Sequence, residues 1–320
     1  MAGASHAIAV SEASQVGEAR RGATRLAHAA GLSESRASDA AIAASELANN
    51  LVRHGGGGSI VLRRHAAAIE ILALDRGRGM NVAACLRDGY STGGTAGNGL
   101  GAVRRLADAF DAYSDPHGSA LWVRLGAADA GEPDCGVVCI ALAGEIVCGD
   151  GWTLRRTDAG WYAFVVDGLG HGPLAADAAR AATAAAVDQP PALALADAHR
   201  RMNGTRGGAG AYLRASRRDG VLACASVGNV CASVISSGRA KGLPAQNGTL
   251  GGHFPSRVNE TQVPLSAGDL VVVHSDGIGT RWSLDAYPGL ATRHPAVVAG
   301  VLWRDFARGR DDATVLVVRA

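Results

Sequence analysis

The sequence predicts an α+β protein made of two domains. Its 320 residues exceed an ordinary domain of ~100–200 residues. Helical and strand-like patterns occur throughout, and a small, polar, proline-containing segment interrupts them at residues 127–134. We therefore predict domains at residues 1–126 and 135–320, joined by a linker at residues 127–134.

The overall composition describes a globular protein. Hydrophobic residues make up 48% of the chain and charged residues 19%. The 31 Lys and Arg residues nearly balance the 29 Asp and Glu residues, for a formal net charge of +2. Such a balance provides no general field that attracts nucleic acid or an anionic membrane. We therefore expect neither as a partner, and we expect protein partners to be recognised locally.

The cysteines and the N-terminus indicate a cytoplasmic protein. The 6 cysteines contain no CxxC pair, and several lie in apolar strand-like runs, where a free thiol behaves as a small hydrophobic side chain. The first residues lack the basic and apolar regions of a secretory signal. No apolar run approaches the ~20 residues that a membrane-spanning helix needs.

The first domain is predicted to contain two helices and three strands. The first helix begins near Ser35, because apolar residues then recur at spacings of three and four, and it ends at the glycines of residues 55–58. The remaining elements are strands at 59–62, 69–74 and 121–125, and a second helix carrying Val103, Leu106, Ala107 and Phe110.

The second domain is predicted to have a β-rich core with flanking helices. Its strand-like runs are short and rich in valine, whereas its helical stretches are rich in alanine. The predicted strands are 137–142, 161–166, 221–225, 230–235, 270–274 and 314–318, and the predicted helices lie near 175–186 and 192–202.

Glu46 and Asn50 are the first candidate functional residues. They are four residues apart on the first helix, so both side chains rise from one face. A carboxylate beside a neutral oxygen donor suits a general base next to Mg²⁺, which prefers oxygen ligands. The alternative is an ordinary solvated helix face, which is the common case for such a pair.

Two glycine-containing segments extend this pattern. Asp75 follows a strand directly, where its carboxylate can accept a hydrogen bond from the amine of adenine, while Gly77 and Gly79 allow a flat ring to approach the backbone. The alternative is a simple Asp-Gly turn. Residues 97–101, GNGLG, open the second helix and present backbone N–H groups suited to phosphate.

In this order, the three elements resemble the GHKL ATPases, in particular the short anti-sigma-factor serine kinases of the RsbW and RsbT type. The resemblance covers residues 13–125 and implies an α/β sandwich that binds ATP and Mg²⁺. No phosphoacceptor-histidine helix precedes Glu46, so transfer to a serine of a separate protein is expected. By the resemblance Glu46 is the general base, Asn50 the Mg²⁺ ligand, Asp75 the adenine contact, and Gly77, Gly79, Gly97, Gly99, Leu100 and Gly101 bind ATP.

Four aspartates of the second domain each lie at the edge of a strand-like run. They are Asp150, Asp167, Asp276 and Asp311, most with an adjacent glycine. Taken singly, such aspartates are usually turn residues. Together they can form an all-oxygen site for two divalent cations. Two cations ~4 Å apart activate a bridging water and hold phosphate oxygens during hydrolysis.

These motifs resemble the PPM-type metal-dependent serine/threonine phosphatases, most closely the compact SpoIIE and RsbX type. The resemblance covers residues 136–319 and implies an α-β-β-α sandwich with two Mn²⁺ or Mg²⁺ ions. It implies that Asp150 and Asp167 are catalytic and hold one ion with the carbonyl of Gly168. The second ion is assigned to Asp167, Asp276 and Asp311.

The residue that binds the substrate phosphate is less well defined. Many larger PPM phosphatases use an N-terminal arginine, and no clear equivalent precedes Asp150. Arg155 and Arg156 are the candidates, while His171 is either a proton donor or a structural residue.

The fusion suggests three functions. The leading hypothesis is a bifunctional switch that phosphorylates and dephosphorylates a STAS-type anti-sigma antagonist or related stress-signalling regulator, with a sigma factor or signalling complex as a further partner. In the second hypothesis the first domain binds ATP without kinase turnover and gates the phosphatase. The third is a non-catalytic anti-sigma module that sequesters its partner.

Overall fold

The computed structural model describes residues 5–86, 99–127, 134–184 and 186–320, which fall into two compact units. The N unit contains Ser5–Ala130 together with Thr292–Arg304, and the C unit contains Gly131–Ala291 and Asp305–Ala320. The predicted linker lies almost entirely outside the described residues. Within the described ranges, no helix is long and apolar enough to cross a membrane.

The N unit is built on one antiparallel sheet and several helices. A strand and a helix that the sequence analysis did not predict precede the first predicted helix. The elements are β1 (His6–Val10), α1 (Ala13–Ala29), α2 (Glu34–Asn50), a π-helical turn (Leu51–Gly55), β2 (Gly58–His65), β3 (Ala68–Asp75), α3 (Val82–Cys85), α4 (Gly99–Leu106), β4 (Ala109–Asp115) and β5 (Gly118–Gly126).

Helix α2 illustrates why these residues fold as they do. The Ser33 side chain accepts a hydrogen bond from Arg36 N and caps the helix N-terminus. A stripe of alanines, with Leu47, is fully buried against the sheet. The helix continues as the π-helical turn and ends at Gly56, whose φ of 69° suits glycine. The predicted glycine stop is therefore confirmed.

The sheet of the N unit has the strand order β1-β2-β3-β5-β4. Its central strand β3 is buried at every position, so both of its faces are covered. In register, Asp75 at the end of β3 lies opposite Ser119 on β5. The prediction that Phe110 lies on a helix is wrong. Helix α4 ends at Leu106, and the N–H of Asp108 donates to Arg124 O, which starts strand β4 beside β5.

The C unit contains two five-stranded sheets. Strands β7, β9, β12 and β13 were not among the predicted elements. The elements are β6 (Cys135–Ile140), β7 (Asp150–Thr157), β8 (Gly160–Gly168), α5 (Pro173–Thr183), α6 (Pro191–Arg201), β9 (Gly208–Ser216), β10 (Val221–Val227), β11 (Cys231–Ser236), β12 (Arg239–Leu243), β13 (Thr261–Pro264), β14 (Leu270–His274) and β15 (Ala313–Arg319). Between β14 and β15 the chain forms helix α7 (Pro295–Phe306), most of which belongs to the N unit.

The two sheets of the C unit pack face to face. Their strand orders are β13-β10-β9-β8-β7 and β12-β11-β14-β15-β6. One cluster of buried side chains joins the inner faces, with Trp152 and Leu213 from the first sheet and Val271 and Leu316 from the second. Helices α5 and α6 cover the other face of the first sheet through a second cluster around Phe164. The C unit therefore forms a β-sandwich whose strand ends can carry a site.

Candidate functional sites

The N unit contains a cavity of about 290 Å³ at the C-terminal end of α2 and of β3. Its lining combines apolar side chains with a few polar groups, as expected for a small-molecule site. The helices bring Glu46, Asn50 and the start of α4 to one side, and β3 brings Asp75 to another. Of the predicted ATP-site residues, those lining the cavity are Glu46, Asn50, Asp75, Gly79, Gly99 and Leu100.

One polar group of α2 at the cavity lacks a partner in the part of the chain that the structure describes. Asn50 Nδ2 is buried, and no hydrogen-bond partner for it occurs among the described residues. Leaving such an atom unsatisfied costs about 1–3 kcal/mol. A Cβ placed on Gly99 would lie 2.8 Å from Glu46 Oε2, so the start of α4 approaches this carboxylate closely. The arrangement fits an anionic ligand accompanied by Mg²⁺, for which Asn50 would supply an oxygen.

Asp75 is held rigidly at the opposite side of the cavity. It is 5% exposed, and its Oδ1 accepts hydrogen bonds from Gly77 N at 2.8 Å and Ser119 N at 3.2 Å. Burial raises the pKa of this carboxyl group, and these N–H groups and the charge of Arg304 oppose the rise. A fixed carboxylate of this kind can accept a hydrogen bond from an exocyclic amine.

The remaining predicted residues of this site have different positions. Gly77 supports Asp75 rather than lining the described part of the cavity, and Gly101 is buried within α4. Gly97 lies outside the described residues. Arg53 and Ser119 also line the cavity, although no sequence pattern predicted them there. Their positions follow from the π-helical turn and from the β3–β5 register, neither of which has a sequence signature.

In the C unit, strand pairing brings the first two aspartates together. Asp150 begins β7 and lies directly opposite Asp167 near the end of β8. Asp276 follows β14 and Asp311 precedes β15, and these two strands are also neighbours. Ser275 links the two sheets, since its hydroxyl donates to Asp150 Oδ2 at 2.7 Å. The four predicted aspartates therefore approach one end of the sandwich.

Burial of the carboxylates, together with their mutual repulsion, sets the electrostatics of the site. Burial, reinforced by the charges of Asp150, Asp276 and Asp311, raises the pKa of Asp167 to about 8. Burial also raises the pKa of Asp150 well above its ordinary value. A divalent cation would relieve this repulsion, and the all-oxygen donor set suits Mg²⁺ or Mn²⁺.

The ligand set is not preassembled around one point. Within the described ranges, no three Asp, Glu, His or Cys side chains already stand as a ligand group for a single ion. The donors thus fit a divalent cation by their chemistry and charge, and ion binding would draw the carboxylates closer. This coupling of binding to local order is expected where like charges are clustered.

Several supporting residues of this site were missed in the sequence. Asp312 accepts hydrogen bonds from Leu142 N at 2.7 Å and Gly149 N at 2.8 Å, and so fixes the loop before Asp150. Asn229 Nδ2 donates to Asp276 Oδ2 at 2.6 Å. The available signals were weak: a second aspartate after Asp311 and an asparagine beside a glycine.

The guesses for a phosphate-binding arginine are not supported. Arg155 and Arg156 lie near the far end of β7, which at ~3.3 Å per residue puts them ~16 Å or more from Asp150. His171 is 51% exposed, and its Nδ1 lies 2.5 Å from Glu145 Oε1. This histidine is therefore engaged by a carboxylate next to the loop that follows Asp167.

Comparisons with known protein families agree with the two-part organisation. Residues 9–125 match the histidine kinase-like ATPase domain family, and residues 157–320 match stage II sporulation protein E, SpoIIE. The serine/threonine-protein kinase RsbT of Bacillus subtilis (strain 168) is 39% identical over 77 residues, which are 22% of this chain and 58% of RsbT. The chain thus spans somewhat more than half the length of this relative.

Solved structures also match the chain. One, from work on the bacterial stressosome as a modular system adapted to control secondary messenger signalling, is 31% identical, with a TM-score of 0.54, and covers 58% of this chain and 98% of its own. The PP2C phosphatase domain of SpoIIE from Bacillus subtilis, with a fragment of its regulatory domain, is 18% identical over 79% of each chain, with a TM-score of 0.47.

The SpoIIE match covers just over half of the chain, and the predicted fold classes of both halves are confirmed. The chain combines a kinase-like ATPase domain with a PPM-type phosphatase domain. It therefore belongs to the SpoIIE family, with a histidine kinase-like ATPase domain preceding the SpoIIE region.

Proposed function

We propose that this protein is a bifunctional regulator that both phosphorylates and dephosphorylates a partner protein. Its second domain, residues 135–320, hydrolyses phosphoserine or phosphothreonine of a partner protein. Its first domain, residues 1–126, transfers phosphate from ATP to the same partner. All six cysteines are free thiols, which suits a reducing cytoplasm.

The phosphatase activity rests on one observation, the meeting of Asp150 with Asp167 across β7 and β8 beside Asp276 and Asp311. Asp150, Asp167 and the Gly168 carbonyl would hold one ion, and Asp167, Asp276 and Asp311 the other. Bound Mg²⁺ or Mn²⁺ supplies an activated water and neutralises phosphate charge.

The protein's own groups orient this site for hydrolysis. The Ser275 hydroxyl holds Asp150, and the Asn229 amide holds Asp276, so each carboxylate is aimed by a fixed hydrogen bond. In the reaction, water oxygen bonds to phosphorus and the bond from phosphorus to the serine oxygen breaks. A proton passes to that oxygen, which leaves free serine and inorganic phosphate.

The kinase activity is supported by the cavity of the N unit. Asp75 would contact adenine, Gly79 the ring, Gly99 and Leu100 the phosphates, and Asn50 Mg²⁺. Glu46 would accept the proton of the partner's serine hydroxyl as its oxygen bonds to the γ-phosphorus. The bond between that phosphorus and ADP then breaks.

The partner is proposed from the relatives, since RsbT is a serine/threonine-protein kinase and one matched structure comes from work on the stressosome. A small STAS-type anti-sigma antagonist offers a single serine to both activities. A sigma factor or a larger signalling complex is the next candidate.

The phosphatase proposal is tested with the full chain, a phosphoserine protein or peptide, and Mn²⁺ or Mg²⁺. Asp167→Asn should abolish release of phosphate, and a chelator should do the same to the unchanged protein. Asp158→Asn is the matched control, because Asp158 is exposed at the other end of the β7–β8 hairpin. Equal phosphate release by the wild type and Asp167→Asn would overturn the assignment.

The kinase proposal is tested by following transfer of the γ-phosphate of ATP to a STAS-domain protein. The Asp167→Asn background removes dephosphorylation. Adding Glu46→Gln should abolish labelling while ATP still binds, whereas Glu18→Gln, an exposed residue of α1, should not change it. ATP binding without any labelling in the Asp167→Asn protein would favour the gating hypothesis over the kinase.

A further inference from the structure

The segment Thr292–Arg304 is part of the N unit, although the sequence places it in the C-terminal half. Its His294 ring stacks on Trp122 with centroids 3.6 Å apart, and His294 N donates to Asp111 Oδ2 at 2.5 Å. A Cβ on Gly300 would lie 2.5 Å from Leu72 Cδ2, so α7 packs against β3 without space for a larger residue. The segment therefore covers part of the sheet that carries Asp75.

Arg304 ends this segment in contact with two residues that line the cavity of the N unit. It is 6% exposed, and its Nη1 donates to the carbonyl oxygens of Asp75 at 2.9 Å and Ser119 at 3.4 Å. These two residues face each other across β3 and β5, and both line the cavity. A Cβ on Gly118 would lie 2.7 Å from the same nitrogen, so a glycine admits the guanidinium here.

We propose that Arg304 is a positioning residue of the nucleotide site, an inference that rests on the proposed ATP binding. Its guanidinium joins the ends of β3 and β5 through their carbonyls. The joined backbone aims the Ser119 N–H at the Asp75 carboxylate, and so sets the direction in which that carboxylate meets a purine. A residue that lies far along the chain thereby supports the proposed ATP site from within the N unit.

Two nucleotides that differ only in the base can show whether Arg304 positions Asp75 or only stabilises the fold. ATP carries the exocyclic amine that Asp75 would recognise, and inosine triphosphate lacks it. We would measure the Kd of both nucleotides with Mg²⁺ for the full-chain wild type, Arg304→Met and Arg304→Lys by calorimetry. Arg293→Ala is the control, because Arg293 lies in the same segment but is exposed and pairs with Asp111.

Arg304→Met should weaken ATP binding about tenfold and inosine triphosphate binding little, with Arg304→Lys intermediate and Arg293→Ala unchanged. An unchanged ATP preference, or an equal loss for both nucleotides, in folded Arg304→Lys would overturn the inference. Absence of ATP binding by the wild type would instead overturn the proposed function itself.

A second, independent observation concerns the loop between α6 and β9. Leu169 N donates to the Gly207 carbonyl at 3.0 Å, and a Cβ on Gly170 would lie 3.1 Å from Arg206 Nη1. Arg206 is therefore held against the loop that follows Asp167. It is exposed, and it forms no hydrogen bond or ion pair within the described part of the chain.

We infer that Arg206 binds the phosphate of the substrate. A guanidinium offers paired N–H donors that match phosphate oxygens, and this one stands next to the proposed metal ligands without an acidic partner. The Thr205 hydroxyl supports its backbone by accepting from Gly207 N and donating to the Met202 carbonyl. Arg206 thus takes the role for which the sequence suggested Arg155 and Arg156.

Arg206→Ala should raise the KM for a phosphopeptide and the inhibition constant of inorganic phosphate about tenfold, with a smaller change in kcat. Arg206→Lys should recover part of the loss. Arg218→Ala, at the exposed turn after β9, is the control. Unchanged KM and phosphate inhibition in Arg206→Ala would overturn this assignment.

Discussion

The two candidate sites are shaped by different forces. In the N unit, packing of α2, α4 and the sheet leaves a cavity of about 290 Å³ with a few directed polar groups. In the C unit, strand pairing buries carboxylates beside one another, and burial together with their repulsion raises the pKa of Asp167. A packed cavity can exist before its ligand arrives, whereas a carboxylate cluster is strained until a cation neutralises it.

The largest expected effect is at the aspartate site of the C unit, called the charge-shaped site below. Asp167→Asn should reduce phosphatase activity on the order of a thousandfold, because it removes an ion ligand and a transition-state charge contact. In metal-free buffer the same change should raise the melting temperature, since it relieves repulsion with Asp150, Asp276 and Asp311. Phosphate release and thermal unfolding check the two parts, and a lowered metal-free melting temperature would contradict the charge explanation.

In the N unit, removal of one member of a buried ion pair should destabilise the fold, whereas Asp167→Asn should stabilise the metal-free protein. Arg63 Nη2 lies 2.7 Å from Glu70 Oε2, and both side chains are buried. Glu70→Ala leaves Arg63 buried without its partner and should lower the free energy of unfolding by about 3–5 kcal/mol. Denaturant unfolding measures it, and a loss below about 1 kcal/mol would contradict the pairing.

The Arg63–Glu70 pair should also make the free energy of unfolding depend on pH. Burial alone would raise the pKa of Glu70, but the charge of Arg63 and hydrogen bonds from His65 and Arg63 outweigh it and lower the pKa from 4.5 to about 2. The stabilisation should therefore be fully present above pH 4.5 and be lost as the pH falls through about 2. Unfolding at several pH values should show this loss in the wild type and not in Glu70→Gln.

A smaller effect is expected at a residue that orients a ligand of the charge-shaped site. Ser275→Ala removes the hydroxyl that donates to Asp150 Oδ2. It should weaken Mn²⁺ binding about 10–100-fold, as loss of an outer hydrogen bond to a metal ligand commonly does. Calorimetric titration with Mn²⁺ measures this, with Ser266→Ala as a surface control. Unchanged Mn²⁺ affinity would contradict the orienting role.

The smallest expected effect is at the cavity of the N unit, which is shaped by packing. Gly99→Ala places a methyl group 2.8 Å from Glu46 Oε2 and should weaken ATP binding about tenfold. The control is Ala102→Ser, one turn along α4. A glycine such as Gly31 would not serve, because its φ of 76° strains any other residue. Equal ATP affinity for the wild type and Gly99→Ala would indicate that the α4 start moves away from Glu46 when nucleotide binds.

Sequence reasoning was most successful where chemistry has a local pattern. The Glu46–Asn50 spacing, the strand followed by Asp75, and the four Asp motifs each follow from neighbours in the chain, and the structure brings the described members of each set together. Strands β7 and β9 were missed because their alternation is broken by arginines, and Phe110 was misplaced because it continues the apolar spacing of α4 beyond its end.

The sequence by itself determined the two families, the order of the domains and most of the polar residues of both sites. Only the tertiary structure decided which distant backbone supports them. The contacts of Arg304 with Asp75, and of Arg206 with the Gly170 loop, join residues 229 and 36 positions apart. No local periodicity can encode such pairs, because helix and strand spacing report only which side of an element a residue occupies.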